Sequence, residues 1–422
     1  MDMQIFETYE SEVRSYCRHF PTVFSKAKGS KLFDELGNEY IDFFCGAGAV
    51  NYGHNNNYIK PKLIDYIMSD GIMHSLDMYT TPKRSFIAFM EENVLKPRGL
   101  NDYKIMFPGP TGTNAVEAAL KLARKVKGRS NVFALTGCFH GMTLGALSLT
   151  TDKGARKGAG VKLNDVTHIP APYMYPELDT VKYMQNLLDD DHSAVDKPCA
   201  LVIETVQAEG GIWVFDNEYL QNVRKFCDDN DILLIIDDIQ VGCARTGTYF
   251  SFERAGIQPD IFVMSKSIGG YGLPFALTIF KSELDKWTPG EHNGTFRGNQ
   301  LAMVAAKAGL EFMLQENVEQ QAKDSGKIIQ SYIENEILPL DSRLKLRGIG
   351  MIWGIEFDGI PVEGLSEKVT EKAFERKLIV ECAGRKNSVV KIMPPLVIEK
   401  DVLLDGLEKL KGAVEDCLNE LN

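Results

Sequence analysis

Between about Tyr58 and Gln300, short apolar runs alternate with segments of helical period, and that alternation constrains the fold more than any other feature of the chain. Four of the runs are Val132 to Leu135, Ala200 to Ile203, Leu233 to Ile236 and Ile261 to Met264. Parallel strands covered by helices read this way, so a largely parallel sheet is expected. After Gly298 the chain turns helical, then passes through Leu346 to Phe357 and Val389 to Ile398, which read as strands of a smaller unit. At 422 residues and 44% hydrophobic, the chain can bury one large core and a lesser one. The expectation is an α/β fold with a mostly parallel central sheet flanked by helices in residues 58–300. A smaller α+β domain would be assembled from residues 1–57 and 301–422.

The formal net charge of -11 argues against a surface built to neutralise a nucleic-acid backbone or to bind anionic lipid. The eight cysteines include no CxxC pair, so neither a zinc ribbon nor a dense disulfide framework is indicated, and reduced thiols in a cytoplasm fit best. MDMQIFETYE carries charges where a signal peptide needs an apolar stretch, and no later run is long enough to span a bilayer.

Ligands of parallel α/β sheets collect at the carboxyl ends of the strands. Asp237 follows one run, and Ser265 and Lys266 follow another, so a carboxylate and an amine emerge at strand ends. A lysine that loses its proton through desolvation or a nearby cation condenses with an aldehyde, which pyridoxal phosphate supplies. That cofactor also needs an anion beside its pyridine nitrogen, and Asp237 is the candidate. Alone, Asp237 and Asp238 could equally cap a turn or bind a divalent metal.

Convergent N–H donors for a phosphate would come from Thr111, Gly112 and Thr113, at the head of a helix whose apolar stripe is Ala115, Ala118, Ala119, Leu122 and Val126. An ordinary helix capped by Thr113 or Asn114 is the competing interpretation. Phe139 could lie on a planar cofactor or simply fill the core. Cys138 and His140, one residue apart and without the rest of a ligand shell, make a poor metal site. Gly348, Gly350 and Gly354 imitate a dinucleotide-binding loop but are followed by strand-like residues, and are assigned to a turn and a strand.

TGTNAVEAALKLAR, FHG, ETVQAEGG, IDDIQVGCARTG, SKS and GTFRGN, in that order, resemble the class-III aminotransferases of fold type I, from about Phe20 to the end of the chain. The resemblance implies pyridoxal 5'-phosphate as cofactor, Lys266 as its covalent anchor, and Asp237 as partner of its pyridine nitrogen. It further implies Gln240 beside the ring hydroxyl, Gly112 and Thr113 in the phosphate cup, and Phe139 stacked on the ring, with His140 and Glu204 among the cofactor-binding residues. Thr295 would reach the phosphate of a neighbouring subunit, which implies a homodimer with shared active sites, or a higher homo-oligomer. Glu209 matches the acidic position that can mask a carboxylate-binding cation.

Two departures bear on the substrate. Met142 stands where ornithine and 4-aminobutyrate transaminases have an arginine, and Lys391 in KIMPPL replaces an arginine fork by a point charge. Together with NYGHNN, SLDMYT, PGPTGTNAVEAA, YGLPFA and LDKWTPG, they resemble the diaminobutyrate–2-oxoglutarate aminotransferases of ectoine biosynthesis. The implied reaction interconverts L-2,4-diaminobutyrate and 2-oxoglutarate with L-aspartate 4-semialdehyde and glutamate. Glu209 is then expected to pair with Lys391 in one half-reaction and release it in the other. The alternatives are an aminotransferase acting on ornithine, acetylornithine or 4-aminobutyrate, or a diaminobutyrate transaminase of siderophore or diaminopropane synthesis. Gly46 to Ala49 and Leu76 to Tyr79 are candidate pocket walls.

Overall fold

The computed structural model describes residues 3–421. Strands β1 (Phe24–Lys28), β2 (Lys31–Asp34) and β3 (Glu39–Asp42) form an antiparallel meander near the N-terminus. The middle of the chain contributes β4 (Tyr103–Met106), β5 (Val132–Leu135), β6 (Val166–Ile169) and β7 (Ala200–Ile203). A short hairpin of β8 (Val206–Gln207) and β9 (Trp213–Val214) follows, then β10 (Leu233–Asp237), β11 (Ile261–Met264) and β12 (Leu277–Lys281). The C-terminal part holds β13 (Lys345–Ile349), β14 (Ile352–Glu356), β15 (Leu378–Ile379), β16 (Glu381–Ala383) and β17 (Val389–Ile392).

Seven strands make the central sheet in the order β4-β12-β11-β10-β7-β5-β6. β6, β5, β7, β10 and β11 are mutually parallel, and β12 alone runs against its neighbours. Every residue of β5, β7, β10 and β11 is buried. The side chains divide by parity: Phe133, Leu135, Leu201, Ile203, Leu234, Ile236, Phe262 and Met264 enter one core, and Val132, Ala134, Ala200, Val202, Leu233, Ile235, Ile261 and Val263 enter another. Successive strand residues point to opposite faces, so a sheet covered on both sides requires an unbroken apolar run.

The Gly112–Lys127 helix covers the second face through Ala115, Ala118, Ala119 and Leu122, with Val126 packed at its margin. Its N-cap is Thr111, ahead of the expected Thr113 or Asn114. The reason is that Asn114 Oδ1 reaches back to accept from Thr111 Oγ1 at 2.8 Å and from the Thr111 backbone N–H at 3.3 Å. The helix therefore begins at Gly112; the Asn114 N–H bonds to Thr111 O at 3.1 Å, and the N–H groups of Gly112 and Thr113 precede the first intrahelical bond. It ends at Gly128, whose φ of 63° is the left-handed conformation that closes many helices.

The two ends of the chain meet where Ile41 and Asp42 of β3 pair in parallel with Leu378 and Ile379 of β15. The C-terminal antiparallel sheet has the order β13-β14-β17-β16 and places Lys391 between Gly354 on one side and Glu381 on the other. The expected strand from Val389 to Ile398 stops at Ile392. Pro394 and Pro395 follow, and proline has no N–H to extend a ladder. Among the described residues, no helix is long and apolar enough to cross a membrane.

Candidate active site

The carboxyl ends of β5, β7, β10 and β11 and the start of the Gly112–Lys127 helix converge on one cavity of about 370 Å³. Gly112, Thr113, Phe139, His140, Glu204, Glu209, Asp237, Gln240 and Lys266 all line it. Lys266 follows β11 in the left-handed region, with φ of 54°, a strained conformation for a residue with a Cβ. Serines on either side pin it there. Ser265 Oγ donates to Phe275 O at 2.9 Å, and Ser267 Oγ donates to Gly48 O at 2.7 Å while accepting from the Asn51 N–H at 3.0 Å. Burial pushes the Lys266 ammonium below its ordinary pKa; Glu209 opposes this and the Lys391 charge adds to it.

Asp237 is held from two sides. Its Oδ2 lies 2.7 Å from His140 Nδ1, and its Oδ1 accepts from the Ile239 N–H at 3.1 Å. Because a carboxylate only accepts, Nδ1 carries a proton there. Both groups are buried, at 4% and 2% exposure, and His140 Nε2 has no hydrogen-bond partner among the described residues. Burial opposes charging of His140, but Cys138 and the Asp237 carboxylate outweigh it and push the imidazole well above its usual pKa. Glu204 lies on the cavity wall with both oxygens occupied, Oε1 by the Phe139 N–H at 3.1 Å and Oε2 by the Ala208 N–H at 3.2 Å. Burial, reinforced by the charge of Asp237 and opposed by His140 and these amides, pushes its carboxyl up to about 7.

At the helix end of the cavity, a Cβ on Gly112 would stand 2.9 Å from Ile239 Cδ1, so a larger residue would close the gap there. Thr113 Oγ1 lies 2.5 Å from Thr143 Oγ1, which in turn donates to Glu117 Oε1 at 2.7 Å. Thr295 is not in the cavity of this chain; it is exposed in a turn ahead of the Gln300–Gln315 helix.

The remaining wall is ionic. Lys391 Nζ lies 2.7 Å from Glu209 Oε1 and 2.7 Å from Glu381 Oε1. Glu209 Oε1 also accepts from Gln240 Nε2 at 3.0 Å, and Gln240 Nε2 reaches Ala47 O at 3.0 Å. Burial would raise the Glu209 carboxyl, but Lys391 and Lys266 more than compensate and hold it at about 2. Lys391 is held protonated, its burial outweighed by the two carboxylates. Glu381 moves the other way: burial is its largest influence, and the Glu209 charge adds to it. Met142, the first of the two departures expected to bear on the substrate, is 55% exposed and does not line the cavity.

Sequence reasoning missed Tyr16, Gly141, Ile239 and Val241, which line the cavity, and Glu381, which pairs with Lys391. Ile239 and Val241 flank Gln240 and were within reach of the strand-end argument. Tyr16 and Glu381 come from remote segments and leave no local signal. Ala47 falls in the expected wall Gly46 to Ala49, whereas Leu76 to Tyr79 does not line the cavity.

The donor set fits pyridoxal phosphate. A depressed lysine pKa, an immobilised carboxylate, a helix N-terminus and an aromatic ring share one cavity. Gln240 Oε1 is a buried acceptor without a donor among the described residues, which a ring hydroxyl would satisfy.

The sequence pattern of the family described as aminotransferase class-III matches residues 13–414. A diaminobutyrate–2-oxoglutarate transaminase of Halalkalibacterium halodurans is 52% identical over 422 residues, covering 100% of this chain and 97% of that protein. One of Nocardia farcinica is 52% identical over 416 residues, covering 98% and 94%. Among solved structures, the ornithine aminotransferase of Toxoplasma gondii superposes with a TM-score of 0.86 at 24% identity, covering 99% of this chain and 94% of that one. An S-selective transaminase of Arthrobacter superposes with a TM-score of 0.87 at 23% identity, covering 99% and 98%. At these identities the two structures speak to the fold, which is that of the fold type I transaminases.

Proposed function

The chain belongs to the class-III aminotransferases, and we propose that it moves an amino group between L-2,4-diaminobutyrate and 2-oxoglutarate, interconverting them with L-aspartate 4-semialdehyde and glutamate. It is a pyridoxal phosphate-dependent transaminase. The observation that carries the substrate assignment is full-length identity near one half to proteins bearing that activity in their names. Lys391 in place of an arginine fork agrees with it.

When bound, pyridoxal phosphate supplies an electron sink for the carbon that bears the reacting amine. Lys266 would anchor it, Asp237 would face its ring nitrogen, Phe139 its ring and Gln240 its hydroxyl, while Gly112 and Thr113 would hold its phosphate. Lys266 Nζ, whose pKa burial lowers, would carry the proton to and from the substrate carbon. His140 and the Ile239 N–H fix the orientation of Asp237. Glu204 holds the Phe139 backbone. Glu209 shields Lys391 while diaminobutyrate reacts through its terminal amine, and releases it when a substrate carboxylate must be bound.

A neighbouring copy would receive Thr295. Exposed Ile64, Ile67, Met68, Tyr79 and Phe296 support a homodimer, as does the exposure of Thr295 itself. The pairing of β3 with β15 supports a small domain made of residues 1–57 and 301–422 beside a cofactor-binding domain of residues 58–300. Ectoine formation in a cytoplasm is the proposed setting, on the motifs NYGHNN, SLDMYT and YGLPFA. The test is to mix the purified yellow enzyme with diaminobutyrate and 2-oxoglutarate and to compare glutamate formation with that from ornithine and 4-aminobutyrate. Preference for either of the latter overturns the substrate assignment.

A further inference from the structure

Lys391 stands directly across from Glu381 in the β16–β17 ladder, so the two side chains leave the sheet on the same face. Its partner on the other flank is Gly354, which offers no side chain. The ammonium is therefore gripped between Glu381 of the neighbouring strand and Glu209 of the turn between β8 and β9, at 2.7 Å from each. The Lys391 side chain is 1% exposed, that of Glu381 12% and that of Glu209 35%. Glu209 lines the cavity, and Glu381 holds the lysine from the neighbouring strand. The Glu381 contact lies off the hydrogen-bonding direction and leaves this buried Oε1 without a hydrogen bond among the described residues. Glu209 Oε1, by contrast, accepts from both Lys391 and Gln240.

With Glu209 alone, the wall would be a neutral pair, and its opening would expose a bare cation suited to a carboxylate. With Glu381 also present, two carboxylates face one ammonium. When Glu209 moves, Lys391 keeps Glu381 as a counter-charge and still has N–H donors for a substrate carboxylate. We infer that Glu381 is a specificity-determining residue: it gives this wall a net negative charge and so selects amino donors that carry a second ammonium beyond the reacting amine. The inference rests on the diaminobutyrate assignment. Diaminobutyrate is 4-aminobutyrate with an ammonium added at carbon 2, so the two donors differ by the one group that such a wall attracts.

The test compares kcat and KM of the holoenzyme for these two donors in the wild type and in Glu381→Gln. The ratio of kcat/KM for diaminobutyrate to that for 4-aminobutyrate should fall at least tenfold in the variant, through KM more than kcat. Glu381→Asp should recover most of the wild-type ratio. A ratio unchanged within twofold, in a variant that keeps the wild-type cofactor spectrum, overturns the inference. If neither variant folds, the wild type decides: 1,3-diaminopropane should be bound at least tenfold more tightly than propylamine, measured by competition against diaminobutyrate, and equal binding overturns the inference. Wild-type enzyme that prefers 4-aminobutyrate overturns the substrate assignment and this inference together. A diaminobutyrate preference that survives Glu381→Gln removes the inference alone.

Discussion

His140 Nδ1 lies 2.7 Å from Asp237 Oδ2, and both side chains are shut away from solvent. The imidazole fixes one oxygen of the carboxylate while the Ile239 N–H fixes the other. Asp237→Asn keeps the shape and removes the charge, so kcat should fall by about 10²–10³-fold, the loss typical of one preorganised electrostatic group. His140→Phe leaves the charge but frees its orientation; a hydrogen bond to a charged group is worth about 1.5–3 kcal/mol, so a smaller loss is expected. Steady-state kinetics at saturating cofactor checks the order. A His140→Phe enzyme slower than Asp237→Asn contradicts it.

Lys266→Ala should abolish turnover and the visible absorbance of the lysine-bound cofactor. Added cofactor should still associate through the helix N-terminus and Asp237. Borohydride reduction followed by peptide mapping should mark Lys266 in the wild type and no residue in the variant. A label elsewhere in the wild type removes the central assignment.

Glu209→Ala withdraws one of the two carboxylates from Lys391 and leaves Glu381 as its remaining counter-charge. Discrimination between diaminobutyrate and glutamate as amino donors should shift toward glutamate, whose carboxylate no longer competes with Glu209. Unchanged discrimination means that Glu209 does not open and close over Lys391. The variant should fold, because the ammonium is not left unpaired.

The Glu204 carboxyl is raised from its ordinary 4.5 to about 7 in the folded chain. A group raised on folding binds a proton in the native state between those two values. It thus favours the fold below its unfolded pKa, and that contribution is lost as pH climbs through 7. The shift corresponds to roughly 3 kcal/mol at about 1.4 kcal/mol per unit. Glu204→Gln cannot titrate and carries a pH-independent cost at the Phe139 and Ala208 amides. Denaturant unfolding of the cofactor-free protein at pH 4.5 and 7.5 should therefore show a steeper loss of stability in the wild type than in the variant. Parallel pH profiles would contradict the buried neutral carboxyl.

Thr295 lies outside the cavity of its own chain. Thr295→Ala should weaken cofactor retention without altering the fold, and dilution that separates the proposed dimer should have the same effect on the wild type. Sedimentation combined with cofactor fluorescence measures both. Retention that is independent of protein concentration would argue for a site complete within one chain.

Much of the site was legible because it is built from strand ends. Val132 to Leu135, Ala200 to Ile203, Leu233 to Ile236 and Ile261 to Met264 announce a two-faced sheet through their unbroken apolar character, and each lies within one residue of an observed strand boundary. Phe139, Glu204, Asp237 and Lys266 follow or end those runs, so parallel topology alone brings them to one edge. The cap of the Gly112–Lys127 helix was misplaced because Asn114 can bond backward as readily as it can cap, and only the backbone geometry decides between the two.

The sequence by itself determined the layered architecture and the residue types of the cavity, since periodicity and strand-end position are local properties written in consecutive residues. The partners of Lys391 were decided by tertiary structure. Glu381 reaches it through the β16–β17 register and Glu209 through a loop from the central sheet, and the turn at 384–388 between those strands has no two-residue hairpin signature from which the register could be read. The charge of that wall is a sum over groups far apart in the chain, so it comes into being only when the sheets close around one buried ammonium.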